Sequence, residues 1–354
     1  MEDASRASEL MKRADGHEMN SRPVNSASIF GLLCRILPAG SLNYLIAAAA
    51  ILSLNFVLPR LMPGDPLRAI YGDEALVAMT PEMEAEIIRQ FSLDRPWWDQ
   101  LIAYAAGLLN GDLGFSYYYR EPVSQVILGA LPWTMLLAGL ALVIATALGV
   151  ILGIESGYRR GSRFDRSLVA GLMLIGGFPD FFIGILMLLI FAVTFSVLPL
   201  SGAESAYAGY SGLSRLLDIL KHLALPLASM VLVQLGGTFL LTRNTVVTLM
   251  GEPFILAARA KGCTERLIKY GHAGRNSLLP VTTATGMRIP YLLTGALFIE
   301  VIFSYPGVGM LLNCSISARD YPLIQGILLL LTMTVLTANF AVDLLYMRLD
   351  PRVE

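Results

Sequence analysis

The chain has 354 residues, 55% of them apolar and 15% charged, with a mean hydropathy of +0.62. Ordinary soluble domains carry about 45–50% apolar and about 25% charged residues, so a water-soluble enzyme is excluded. A net charge of −1 offers no basic face to nucleic acid, and three scattered cysteines with three histidines make neither a disulfide framework nor a histidine-rich metal site.

The first 27 residues are polar with balanced charge and read as a disordered lead. No small-residue cleavage site follows a short apolar run, so the first apolar stretch reads as an uncleaved anchor. Crossing the hydrocarbon takes about 20 apolar residues. Six stretches qualify: 42–58, 133–154, 167–198, 223–247, 282–303 and 323–347. The third is over-long and interrupted by Gly176-Gly177-Phe178-Pro179-Asp180. The expected fold is therefore an all-α membrane protein with six transmembrane helices. Its parts are a polar lead (1–41), a first span (42–59), a segment outside the membrane (60–130), a five-helix core (131–347) and a short tail (348–354).

Charge orients the bundle. Residues 60–130 hold five basic residues (Arg60, Arg68, Arg89, Arg95, Arg120) against ten acidic ones. The loop after the second span packs Arg159, Arg160, Arg163 and Arg166, and the loop after the fourth holds Arg259, Lys261, Arg266, Lys269 and Arg275. Loops 199–222 and 304–322 are nearly neutral. By the positive-inside rule the two basic loops are cytoplasmic, which places both termini inside and 60–130 outside. In that segment, Pro81 with acids behind it predicts a helix over 81–91, and Pro96-Trp97-Trp98 predicts an interfacial anchor.

Searches for catalytic chemistry return little. There is no phosphate-binding GxxxxGK[ST] loop, so the chain does not hydrolyse ATP by itself, and no HExxH spacing for a metal. Gly209-Tyr210-Ser211-Gly212 with His222 has the look of an intramembrane serine protease site, but it lies in a Ser/Gly/Ala/Tyr-rich loop. Asp218, one turn before His222, accounts for that histidine as an interfacial pair. A stand-alone secondary transporter is a further alternative. Gly149, Gly153 and Gly157 repeat every four residues and predict close helix packing. Ionisable residues at membrane depth are functional candidates: Glu300 first, then Asp343, Asp180 and Arg288.

The most informative stretch is the loop at 248–281. Pro253 fits a helix start and Gly262 its end. A helix too short to span and too apolar for water should dock on the bundle or on a partner.

Ala257-Ala258-Arg259-Ala260-Lys261-Gly262, followed by His272-Ala273, Arg275-Asn276 and Leu279-Pro280, resembles the EAA loop of ABC-importer permeases. More narrowly, it resembles the branch that imports dipeptides, oligopeptides and nickel. Further pieces fit in order: Pro63-Gly64-Asp65-Pro66, Gly111-Asp112-Leu113-Gly114, Phe303-Ser304-Tyr305-Pro306-Gly307-Val308-Gly309, Arg319-Asp320-Tyr321-Pro322 and Asp350-Pro351-Arg352. The glutamate of the general EAA consensus falls at Leu256, and Glu252 is a candidate substitute for its charge.

The resemblance implies a multi-pass inner-membrane permease subunit that translocates short peptides, with nickel or another small chelated solute as the alternative cargo. It implies a second permease chain, two ABC ATPase subunits that hold ATP and magnesium, and an external solute-binding protein; no cofactor is expected on this chain. The EAA segment would act as a coupling helix. Ala257, Ala258 and Gly262 would allow close seating in an ATPase groove, with Arg259, Lys261, Arg266 and Arg275 complementing its surface. On this reading Ala258→Glu uncouples hydrolysis from import and leaves the bundle folded. Glu300, Tyr305, Pro306, Gly307 and Arg288 are the candidates for a pathway or gate.

Overall fold

Glycine and proline decide where the apolar runs of this chain break. The structure, a computed structural model, describes residues 41–61, 80, 82–83, 95–289 and 292–349. The polar lead before residue 41, Pro63-Gly64-Asp65-Pro66, most of the helix predicted at 81–91 and Asp350-Pro351-Arg352 lie outside the described residues. Regular structure among the described residues is helical, apart from one bridge between Phe115 and Pro122. In order the helices are α1 (Ser41–Leu61), α2 (Trp97–Leu109), α3 (Val123–Tyr158), α4 (Arg163–Gly176) and α5 (Asp180–Met187). After α5 the chain runs on as a wider π-helical stretch, Leu188–Thr194, and then come α6 (Gly212–Leu249) and α7 (Pro253–Ala260). A second π-helical stretch, Leu267–Gly274, leads into α8 (Arg275–Gly286), α9 (Leu292–Ile302), α10 (Val308–Ser317) and α11 (Tyr321–Leu349).

Three of these, α3, α6 and α11, are long and apolar enough to cross a membrane. A fourth crossing results if α4 and α5 with its extension count as one span bent by 101°. The bend falls at Gly177-Phe178-Pro179, where the sequence places its interruption: proline excludes the helical conformation at the residue before it. With 36 and 38 residues, α3 and α6 are about 55 Å long at 1.5 Å per residue, so both outreach the hydrocarbon core.

Three expectations need correcting. The helix that carries the second apolar stretch, α3, begins at Val123, ten residues before the expected 133. The fifth stretch holds two helices, α8 ending at Gly286 and α9 starting at Leu292. The expected loop 304–322 contains a ten-residue helix, α10.

Residues Ala47–Glu354 form one unit, which α1 joins from Ala47 onward. Its spine is the pairing of α3 with α6. Gly149, Gly153 and Gly157 face α6, and a methyl group on Gly153 would come within 2.6 Å of Thr242 Cβ. In lipid, helices gain little from leaving an apolar solvent, so backbone approach of this kind supplies the dispersion contacts that hold the pair. One buried cluster joins Leu137, Ala138 and Ala141 of α3 to Leu223 and Met230 of α6 and to Ala296 and Ile299 of α9. Another joins Val123 and Ile127 to Val308 and Leu311 of α10 and to Leu323 and Ile327 of α11.

Candidate functional site

The loop after α6 folds back on the bundle as α7. Glu252 is extended, and Pro253 opens the helix where its missing N–H costs nothing. The helix ends at Gly262, whose φ of +75° is the left-handed conformation that favours glycine. Cys263 N–H donates to Ala258 O at 3.1 Å and Gly262 N–H to Arg259 O at 2.9 Å, a Schellman closure that satisfies the last carbonyls.

Ile255 and Ala258, three residues apart, face inward. They pack with Ile154 of α3, Val246 of α6, Ile268 and Ala273. Ala258 is 6% exposed, so its small side chain fits the chain's own bundle and does not face outward as expected from the sequence. Ala257, Arg259, Lys261 and Gly262 are exposed, with Phe254 and Leu256 beside them, Leu256 at 60%. Arg266 and Arg275 are exposed as well. The free face of α7 is thus apolar at Phe254, Leu256 and Ala257 and basic around them. Glu252 makes no side-chain cap to the helix it precedes.

Beside α7, the corner between α3 and α4 carries two carboxylates that the sequence did not single out. Asp165, 1% exposed, takes a bidentate pair from Arg243 of α6, with Nε at 2.6 Å and Nη2 at 2.8 Å. It also accepts Ser156 Oγ at 2.5 Å and the Gly161 N–H at 2.8 Å. Ser162 caps α4 by accepting the Asp165 N–H. Glu155, in the last turn of α3, pairs with Arg159 at 2.7 Å and with Lys269, and it accepts the Tyr270 hydroxyl at 3.1 Å. The Lys269 ammonium lies 5.5 Å from the Tyr158 ring and 4.8 Å from the Tyr270 ring. Arginine density was visible in the sequence; the partners come from parts of the chain 78 and 114 residues away (243 − 165 and 269 − 155).

The pathway candidates lie elsewhere. Glu300 of α9 is fully buried, and its Oε2 accepts the Gly309 N–H at 2.6 Å. Val308 N–H donates to Thr134 Oγ1 of α3 at 2.8 Å, so two side chains hold the start of α10. Gly307 and Gly309 crowd that carboxylate so closely that neither has room for a methyl group. Tyr305 is buried edge-on against Trp133, with centroids 5.9 Å apart, and Pro306 is exposed. Arg288, half-buried, donates to Thr238 of α6 at 2.9 Å. It shares no hydrogen bond with Glu300 among the described residues. Asp180 opens α5. The side chain of Asp343 lies outside the described residues.

At the end of the bundle away from the arginines, two more sequence motifs meet. Asp320, before α11, accepts Ser116 Oγ at 2.5 Å, Tyr118 N–H at 3.0 Å and Leu323 N–H at 3.2 Å. Asp112 accepts the Gly114 N–H at 2.8 Å, and Gly114 packs against Pro322. Burial pushes the Tyr119 hydroxyl up to about 12, so it stays neutral in this turn. His222 Nδ1 sits 2.9 Å from Asp218 O, and the Asp218 carboxylate accepts both Ser205 N–H and Ser205 Oγ. Ser211 precedes α6, and its carbonyl accepts the Ser214 hydroxyl. The histidine is engaged with its own helix, not with Ser211.

The chain is an all-helical, apolar bundle with broken spans, and it belongs to a family of membrane transport components. Residues 145–354 match the binding-protein-dependent transport system inner membrane components. The chain is a multi-pass inner-membrane protein of that family, whose relatives are transport permeases. Among its relatives, the dipeptide transport system permease DppB of Escherichia coli K12 is 33% identical over 320 residues, covering 85% of this chain and 93% of the relative. The di/tripeptide transport system permease DppB of Pseudomonas aeruginosa is 33% identical over 314 residues, covering 85% and 93%. A peptide transport system permease of Brucella abortus is 37% identical over 300 residues, covering 85% and 92%.

Proposed function

We propose that this chain is a permease subunit of an ABC importer for short peptides, driven by ATP hydrolysis on separate subunits. The observation that carries this reading is α7. It is a short helix seated on the bundle by Ile255 and Ala258 that turns Phe254, Leu256 and Ala257 outward among basic side chains. Apolar surface of that kind, left free at the end of a bundle and ringed by cations, suits a partner groove with an apolar floor and acidic rim. The names of the relatives add the cargo class.

In this reading the six spans are α1, α3, the bent α4–α5 unit, α6, the broken α8–α9 unit and α11. Both termini and the corner at Arg159 and Arg160 are cytoplasmic. The turn of Asp112 and Asp320 lies outside with the acidic segment, where an external solute-binding protein delivers cargo. The coupling surface is Phe254, Leu256, Ala257, Arg259, Lys261, Gly262 and Arg266, with Arg275 at its margin. Ala258 belongs to the seat. A second permease chain completes the pathway, and two ATPase subunits hold ATP and magnesium.

Gentle detergent extraction with the native neighbours, followed by mass spectrometry of the intact assembly, tests the composition. One further permease and two ATPases are expected. Reconstitution into liposomes should then give ATP-dependent uptake of a labelled dipeptide. A chain that stays alone and transports on an ion gradient without ATP overturns the reading, and uptake of nickel in place of dipeptide replaces the cargo.

A further inference from the structure

Resting on the reading of α7 as the coupling helix, we propose that Glu155 and Asp165 are positioning residues that clamp the α3–α4 corner to the chain before and after α7, so that displacement of α7 reaches α3 and α4 directly. Chain connectivity alone hands such a displacement to α6 and α8. The corner has three separate holds, one on α6 shortly before the loop and two on the loop itself. Asp165 grips Arg243, near the end of α6 that leads into the loop, through two hydrogen bonds. Glu155 grips Lys269 and Tyr270, on the limb that follows α7. Between them Ile154 packs on Ile255 and Ala258 of α7 itself.

The holds differ in kind, and that difference favours transmission over simple adhesion. The Asp165 pair is planar, two-pronged and shielded, with the other lone pairs taken by Ser156 and Gly161, so its geometry is fixed. Gly157, one turn from that pair, brings α3 so near α6 that a methyl group would lie 2.8 Å from Arg243 O. The clamp therefore closes where α3 and α6 are in close backbone contact. From there α3 runs unbroken to Thr134, which holds the first N–H of α10, and to Val123, which packs against α11. One continuous helix, with Pro132 inside it, connects the corner beside the coupling loop to the opposite end of the bundle.

The test uses the complete importer in liposomes with its solute-binding protein, ATP and tritiated dialanine. It compares wild type with E155Q and D165N and reads the ratio of dipeptide imported to ATP hydrolysed, together with assembly and melting temperature. We expect each variant to assemble and hydrolyse ATP, with uptake per ATP reduced about tenfold, a typical size for coupling between sites. An unchanged ratio overturns the proposal, whether or not the melting temperature falls, because a merely structural bridge lowers stability and leaves stoichiometry alone. Should D165N fail to assemble because Arg243 loses its counter-charge, E155Q decides on the same ratio, since its pair is partly solvated. A wild-type importer that hydrolyses ATP without moving dialanine overturns the peptide reading alone, and the same ratio is then taken with nickel as probe.

Discussion

Glu300 occupies a place where an ionisable side chain is costly, and the offset is local. Its carboxylate receives the Gly309 N–H at the opening turn of α10, where orphan donors and the helix dipole favour an acceptor. Replacing it by glutamine keeps an acceptor oxygen, so Glu300→Gln should retain ATP-driven uptake within about twofold and unfold near the wild-type temperature. Glu300→Ala strands a buried N–H and opens a void, a loss of about 1–3 kcal/mol from the unpaired donor alone, readable as a lower melting temperature in detergent. If glutamine abolishes uptake at unchanged melting temperature, Glu300 acts on the pathway and not as a cap. The acid was legible in the sequence through its depth in an apolar run. Its partner was not, because Gly309 returns to it only through the corner at Ser304, where φ is +46°, and Pro306. Asp165 was less legible still: amid four arginines it reads as one more loop charge, and only the fold brings Arg243 to it.

At the scale of the element, α7 had bounds that the sequence could supply and a face that it could not. Pro253 and Gly262 mark the ends by backbone chemistry that holds in any context. An eight-residue helix with Phe, Ile, Leu and four alanine or arginine positions is apolar nearly all round, so no stripe points to the bundle. The consequence is a reversal of the substitution first suggested by the small pair. Ala258→Glu drives a carboxylate between Ile154 and Ile268 and should cost assembly itself, by the several kcal/mol of an unpaired buried charge, seen as loss of extractable complex. Ala257→Glu, on the exposed side, should leave the chain folded and lower binding-protein-stimulated ATP hydrolysis and uptake together about tenfold or more, as at a central interface position. An exchange of the two outcomes would mean that α7 sits the other way round. Breaks followed the same logic as ends. Gly177-Phe178-Pro179 announced the bend between α4 and α5, whereas a lone Pro290 inside an apolar stretch did not outweigh hydropathy, and the α8–α9 division went unread.

For the whole molecule, the open question is which end faces the cytoplasm, and charge makes a definite statement. Arg159, Arg160, Arg163 and Arg166 at the corner, with Arg259, Lys261 and Arg266 on the loop after α6, gather at one end. The opposite loops carry exposed Tyr207 and the Glu204–Arg215 pair, which adds no net charge. On the proposed reading, retention of short basic loops on the cytoplasmic side would set the orientation of every helix between them. In a chain with Cys34, Cys263 and Cys314 replaced by alanine, single cysteines at Tyr207 and Lys261 test this. A membrane-impermeant maleimide applied to cells with a permeabilised outer envelope should label Tyr207→Cys at once and Lys261→Cys only after the inner membrane is opened. The reverse order would place α7 outside, beyond the reach of any ATPase, and would remove the coupling reading together with the clamp built on it. Labelling of both from one side would contradict the crossing of α6, whose 38 residues separate the two positions.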